Sequence, residues 1–210
     1  MASVSKAQIC NLALAHIKQT QTTISNLETD TGNTAAVLRV HYDVARRFVL
    51  ADHAWNFATK RVTLADIGSP PSGIWTYRYD YPSGCLQLRE IQAATRTANP
   101  VAFAVEAEDD GSGLSILTDM ATAVAIYTND VENPSLFPPG FVTALGWYLA
   151  SEIAPALSGS ETIQEACLTV YRNHLAAAQA QDAQEGQADD EAASPWEQAR
   201  LGGATITVNT

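Results

Sequence analysis

The stretch 38-LRVHYDVARRFVLADHAWNFATKRVTLA-65 decides how the chain is to be read. Its first half repeats apolar residues at helical spacing and its second half alternates, so the period passes from about 3.6 to about 2 residues within one segment. The changeover falls in 52-DHAWNFATKR-61, where His53, Trp55 and Phe57 stand beside Lys60 and Arg61. Aromatic residues next to bases can stack nucleobases and hold phosphates. They can equally form the joint where a helix hands over to a strand. Two bases in a chain of net charge −11 make a poor phosphate footprint, so the joint is the better reading. Trp55 and Phe57 are expected to wedge the helix against the sheet, with Lys60 and Arg61 on the first strand.

Upstream of the joint, the spacing predicts a helix from about Asn33 to His53. Val37, Val40, His41, Val44, Phe48 and Ala51 are its expected inner stripe, with Arg39, Arg46 and Arg47 on an outer basic flank. An earlier helix is predicted from Ser5 to Lys18, buried through Ile9, Leu12, Ala13, His16 and Ile17, followed by the polar loop 19-QTQTTISNLETDTGN-33.

Downstream, 75-WTYRYDY-81 places Trp75, Tyr77, Tyr79 and Tyr81 on one face of a strand. Further strands are expected at 85-CLQLREI-91, 101-VAFAVEA-107, 114-LSILTD-119 and 123-AVAIYTND-130, punctuated by turn sequences. No gap between them holds a crossover helix, which predicts an antiparallel meander. Helical periodicity returns at 138-PPGFVTALGWYLASEIAP-155, read as starting at Pro138 and Pro139 and ending at Pro155. A fourth helix is expected from Ser158, which has capping-box spacing to Glu161, through Cys167, Tyr171 and His174.

The expected fold class is therefore α+β. A four-helix bundle is formed by helix pairs from both ends (1–57 and 138–180), with a small antiparallel β-sheet inserted at 58–137. Residues 181–210 form an extended acidic arm, flexible on its own. Trp196 is the large apolar anchor of that arm, and 204-ATITVNT-210 regains strand propensity that suits docking on a partner.

Charge is unevenly divided. Residues 1–96 hold ten Lys/Arg and seven Asp/Glu, whereas residues 97–210 hold two and sixteen. A chain polarised in this way can repel DNA with one surface and dock a copy of itself with another. No amino-terminal signal is visible, and the most apolar run, 141–157, is broken by Glu152 and Pro155, so a soluble protein without a membrane span is expected. The three cysteines, Cys10, Cys85 and Cys167, are widely spaced and read as buried reduced thiols.

Signals of catalysis are weak. His16, His41 and His174 fall on expected inner faces, no cofactor or metal motif occurs, and 111-GSG-113 lacks the strand-to-helix setting of a phosphate cradle. The best enzymatic candidate is 106-EAEDD-110, in which Glu106 and Glu108 could serve a glycan hydrolase as a carboxylate pair. Acidic turns between strands carry such clusters commonly, so no enzyme is expected.

The long helix with Tyr42-Asp43-x-Ala45-Arg46-Arg47, ending in Trp55-Asn56-Phe57 and passing into a strand, resembles the tail tubular protein A family of phages. The segment 77-YRYDYPSGCLQLREI-91 is similar to that family's Tyr-Pro turn and following strand. The likeness covers most of residues 5–175. It implies a virion head-to-tail adaptor, assembled in the host cytoplasm, in which about a dozen copies form a ring between the portal protein and the tail nozzle protein. Double-stranded DNA would pass through without specific binding. Under that resemblance Arg39, Arg46, Arg47, Lys60, Arg61 and Trp196 are expected at subunit or portal contacts. A head-completion protein of a long-tailed phage is the alternative within the same class.

Overall fold

The computed structural model describes residues 4–19, 21–68, 74–93, 101–108, 111 and 113–185. Among them the chain forms an α+β fold of four helices and two small antiparallel sheets. Helix α1 spans Lys6–His16 and opens on a reciprocal box: the Gln8 amide donates to Ser5 Oγ, and the Gln8 side chain accepts from the Ser5 amide. Helix α2 covers Asn33–Asp52.

Its buried face is not the expected one. Ala35, Leu38, Tyr42, Ala45, Arg46, Val49 and Leu50 face the core, while Val40, Val44 and Phe48 are exposed. Both stripes have helical spacing, and their offset of two residues turns them roughly 200° apart. The stripe through Leu38, Tyr42 and Val49 joins the main core, and the buried Arg46 beside it is neutralised by Asp130.

The seven strands are β1 (Thr59–Thr63), β2 (Asp66–Gly68), β3 (Tyr77–Asp80), β4 (Cys85–Gln92), β5 (Phe103–Ala107), β6 (Leu114–Thr118) and β7 (Val124–Asn129). They do not form the single meander expected. One sheet has the order β1-β7-β4 and the other β2-β3-β6-β5. The last strand, β7, lies at a centre because its VAIYTN run can be buried on both faces, whereas polar TKRVT in β1 suits an edge. By the same logic apolar β6 is central and the short, exposed β2 is peripheral.

Helix α3 runs Pro139–Ser158 and passes through Pro155 instead of ending there. Proline removes one backbone hydrogen bond, but Pro155 is exposed and the next turn has other ties. Ser158 Oγ donates to the Ala154 carbonyl, and the Gln19 side chain donates to that of Leu157. Gly159, at φ +64°, ends the helix in the left-handed conformation. Helix α4 spans Glu161–Glu185, and its first-turn cap is Ser160, whose Oγ accepts from the Ile163 amide, not Ser158. The helix continues past the expected arm boundary at 181, because Asp182 is buried against the joint.

Two clusters organise the interior. The larger draws on all four helices together with Trp55, Ala58, Val131 and Phe137. The smaller lies between the sheets, around Tyr79, Ile91, Ile116, Ala125 and Tyr127. Strand β4 serves both, giving Leu86 to the helices and Cys85, Leu88 and Ile91 to the strand cluster.

Candidate partner interface

Trp55 and Phe57 sit where helix, sheet and α3 converge. The Trp55 ring is almost fully buried and its indole N–H donates to the Val49 carbonyl at 2.9 Å, turning the chain back on the end of α2. Phe141 meets Trp55 edge-on at 5.2 Å and Phe57 at 5.0 Å, with Phe137 4.8 Å from Phe141. Asp182 completes the joint: its carboxylate accepts from the Asn56 amide and contacts His53 Nε2 at 3.1 Å, and its carbonyl accepts from Asn56 Nδ2. The end of α2 is tied further by Tyr171, whose hydroxyl donates to Asp52 at 3.1 Å, and by Arg89, which donates to the Ala51 carbonyl. Burial, and then the adjacent Asp52 carboxylate, push the Tyr171 phenol well above its ordinary range. The stretch that first looked like a nucleic-acid site has these aromatics packed inside.

The three arginines expected at a partner contact divide by role. Arg46 corrects that expectation, since it is 1% exposed. Its guanidinium pairs with Asp130 and Asp43 and donates to the Val131 carbonyl at 2.8 Å, so it locks the segment after β7 onto α2. Arg39 donates to the carbonyls of Leu27 and Asp30 and clasps the loop between α1 and α2. Arg47 shares Asp130 at 2.9 Å but keeps 56% of its side chain exposed, so it can reach a partner. Lys60 and Arg61 are exposed on edge strand β1, opposite Tyr127 and Ile126. Trp196 and the arm beyond Glu185 lie outside the described residues.

The surface that sequence reasoning missed is the outer face of α2. Val40, Val44 and Phe48 are 70%, 65% and 48% exposed, one turn apart, and Phe48 lies flat on Tyr148 of α3 at 4.5 Å. Arg47 and Asp43 flank this stripe. The Ala35–Leu38–Tyr42–Ala45–Val49 seam was the signal that could have found it, because its spacing of three and four residues belongs to a closely packed helix pair.

An open recess of about 660 Å³ lies between the β2-β3-β6-β5 sheet and the turn at Tyr81–Cys85, and its lining is mostly polar, with Arg78, Asp80 and Glu108. Ile67 and Leu114 are exposed on its rim, with Tyr81, Pro82 and Asp80 beside them. Arg78 pairs there with Glu108 at 3.3 Å, while its Nε is buried with no hydrogen-bond partner among the described residues. Glu106 stands exposed on β5 opposite Ser115. The two carboxylates considered for glycan hydrolysis are thus differently placed, one ion-paired and one open to solvent.

The histidines also part from expectation. His16 is half-buried and stacks on Trp147 at 3.5 Å with the rings 8° apart, and the exposed His174 lies 6.2 Å from the same indole. Burial, then the neighbouring His174, lower the His16 pKa. Burial pushes the Cys10 thiol up to about 12 and also raises Cys85 and Cys167, so none is a ready thiolate near neutrality. Cys85 is half-buried, not enclosed as expected. Among the described residues no cluster of three His, Cys, Asp or Glu side chains is arranged to hold a metal ion, and no helix is long and apolar enough to cross a membrane. No protein-family model matches the chain, and no curated protein matches it.

Proposed function

We propose that this protein is a structural assembly subunit: a phage head-to-tail adaptor that forms a ring beneath the portal, joins it to the tail nozzle and surrounds the DNA channel. The observation that carries the reading is the outer face of α2. Three large apolar side chains, one turn apart on one long helix, are turned to solvent as a continuous stripe. Stripes of this kind mark surfaces that are covered in an assembly. In this reading the helix pairs from the two ends form a four-helix bundle, with α3 packed against α1, α2 and α4. The sheets project from it through the Trp55–Phe57 joint.

Charge supports the same assignment. The excess of sixteen acidic over two basic residues after position 96 would keep passing DNA from adhering to a channel wall. Cations at Arg47, Lys60 and Arg61 remain on the surface for subunit or portal contacts. The adaptor needs no catalytic step and no cofactor.

Electron microscopy of the purified protein mixed with the portal of its own phage tests the proposal. A ring on the tail-side end of the portal is expected. Portal particles that stay bare at saturating protein would overturn it.

A further inference from the structure

Among the described residues, strand β1 is paired on one side only. It forms an edge of the β1-β7-β4 sheet, with β7 as its neighbour. The Leu64 amide donates to the Ala123 carbonyl at 2.9 Å, which continues the β1–β7 register. Bonded positions alternate along an antiparallel pair, so the backbones of Lys60 and Val62 point at β7 and those of Arg61 and Thr63 point outward. No other backbone group among the described residues bonds that outer row. The side chains are open as well: Val62 is 39% exposed, and neither Lys60 nor Arg61 has an ion pair among the described residues. An open row of this kind is a template for one more strand, and its cations turn away any strand that does not bring acidic charge.

The chain itself holds a segment of that description. In 204-ATITVNT-210 β-branched residues alternate, with Ile206 and Val208 on one side and Thr205 and Thr207 on the other. Residues 186–203 before it carry Asp189, Asp190, Glu191 and Glu197 against Arg200 alone, and they close on Gly202 and Gly203, which allow a sharp turn. Helix α4 delivers this tether to the base of β1: near its end, Asp182 accepts from the Asn56 amide, just before β1 begins at Thr59. A tether of that length reaches up to about 60 Å, whereas β1 spans only about 16 Å. It therefore holds the segment near the edge at a high effective concentration. We infer that residues 204–210 add as a strand to the outer edge of β1 in the same chain. Their main-chain groups meet those of Arg61 and Thr63, and the acidic tether lies against Lys60 and Arg61. Ile206 and Val208 cover Val62, which stands opposite Ala125 on the side of the strand cluster. The inference concerns the free subunit and does not rest on the adaptor reading.

Amide exchange followed by NMR on the full chain tests it, with the double variant Ile206→Pro, Thr207→Pro as the comparison. Proline has no N–H to donate, and two adjacent prolines spoil the added strand whichever of its amides face β1. The Arg61 and Thr63 amides should be protected in wild type and exchange at least about tenfold faster in the variant. The Lys60 and Val62 amides, bonded to β7, should exchange alike in both proteins and show that β1 itself is intact. Equal rates for Arg61 and Thr63 in the two proteins overturn the inference, as does a variant that speeds all four amides together. Docking within one chain predicts the same protection from roughly 10 µM to 1 mM. Protection that grows with concentration makes a second copy the occupant and overturns the same-chain assignment.

Discussion

Replacing Asp130 by Ala strips the buried Arg46 of its main counter-charge. Arg46 is 1% exposed and Asp130 has 13% of its side chain exposed, so the pair lies where water cannot take over the lost contact. Breaking a buried pair by removing one member costs about 3–5 kcal/mol, because the remaining charge is stranded. Here the Val131 carbonyl and Asp43 still contact the guanidinium, which puts the cost near the lower end, about 3 kcal/mol. For a chain of this size each kcal/mol moves Tm by about 2–4 °C, so the expected fall is roughly 6–12 °C. Arg47→Ala removes only the exposed partner of the same carboxylate and should cost about 0–1 kcal/mol. A double variant, Arg46→Met with Asp130→Asn, leaves no stranded charge and should recover most of the loss. Thermal melts of the four proteins, followed by circular dichroism, make the comparison. A fall of less than about 2 °C for Asp130→Ala, or an equal fall for Arg47→Ala, would refute the assignment of Arg46 as an internal clamp.

Three further outcomes follow from the packing. Because the folded His16 pKa lies below its ordinary 6.5, the unfolded chain takes up the proton first. The stability His16 contributes is full above about 6.5 and is lost as pH falls through the window down to the folded value. His16→Phe keeps the stack on Trp147, so its Tm should fall less than wild type's between about pH 7 and pH 5, and parallel curves would count against the argument. A Cβ on Gly140 would stand 2.9 Å from the Ala178 Cβ and 3.4 Å from its Cα, which cannot move without the backbone, whereas one on Gly146 would stand 2.8 Å from Leu12 Cδ2 and 3.1 Å from its Cγ, side-chain atoms that can rotate aside. Gly140→Ala should therefore destabilise by about 1–3 kcal/mol and Gly146→Ala by less, an order that urea melts would reverse if the close approach of α3 to α4 were unimportant. Asp182→Ala removes the acceptor for the Asn56 amide and should speed amide exchange across 178–185 with a local loss of about 1–3 kcal/mol. Unchanged exchange there would mean that the end of α4 is held by other contacts.

Much of the local structure is legible in the sequence, for local reasons. Alternation in 75–81 and 123–130 marks strands, because side chains on a strand point to opposite sides whatever lies beyond them. Pro138–Pro139 announces the start of α3, since proline tolerates the first helical turn. The change of period between residues 38 and 65 locates the joint around Trp55 and Phe57 for the same reason.

What remained was decided by the partners each face meets. Helical spacing on α2 defines two apolar stripes, and nothing within α2 says which is covered. Choosing the larger, β-branched stripe put Val40, Val44 and Phe48 inside and left Arg46 out. The tertiary fold reverses this: Leu38, Tyr42 and Val49 join the main core, and Asp130, distant in sequence, neutralises the buried arginine. The polar run ending in Glu185 looked too weak to order itself, yet Asp182 finds the Asn56 amide and His53 more than a hundred residues away. Strand order follows the same rule, with the late, apolar β7 taking a centre and the early, polar β1 an edge. Periodicity along the chain thus determined which elements form. Which faces are buried, and so which face is left for a partner, was decided only by packing and charge pairing between distant segments.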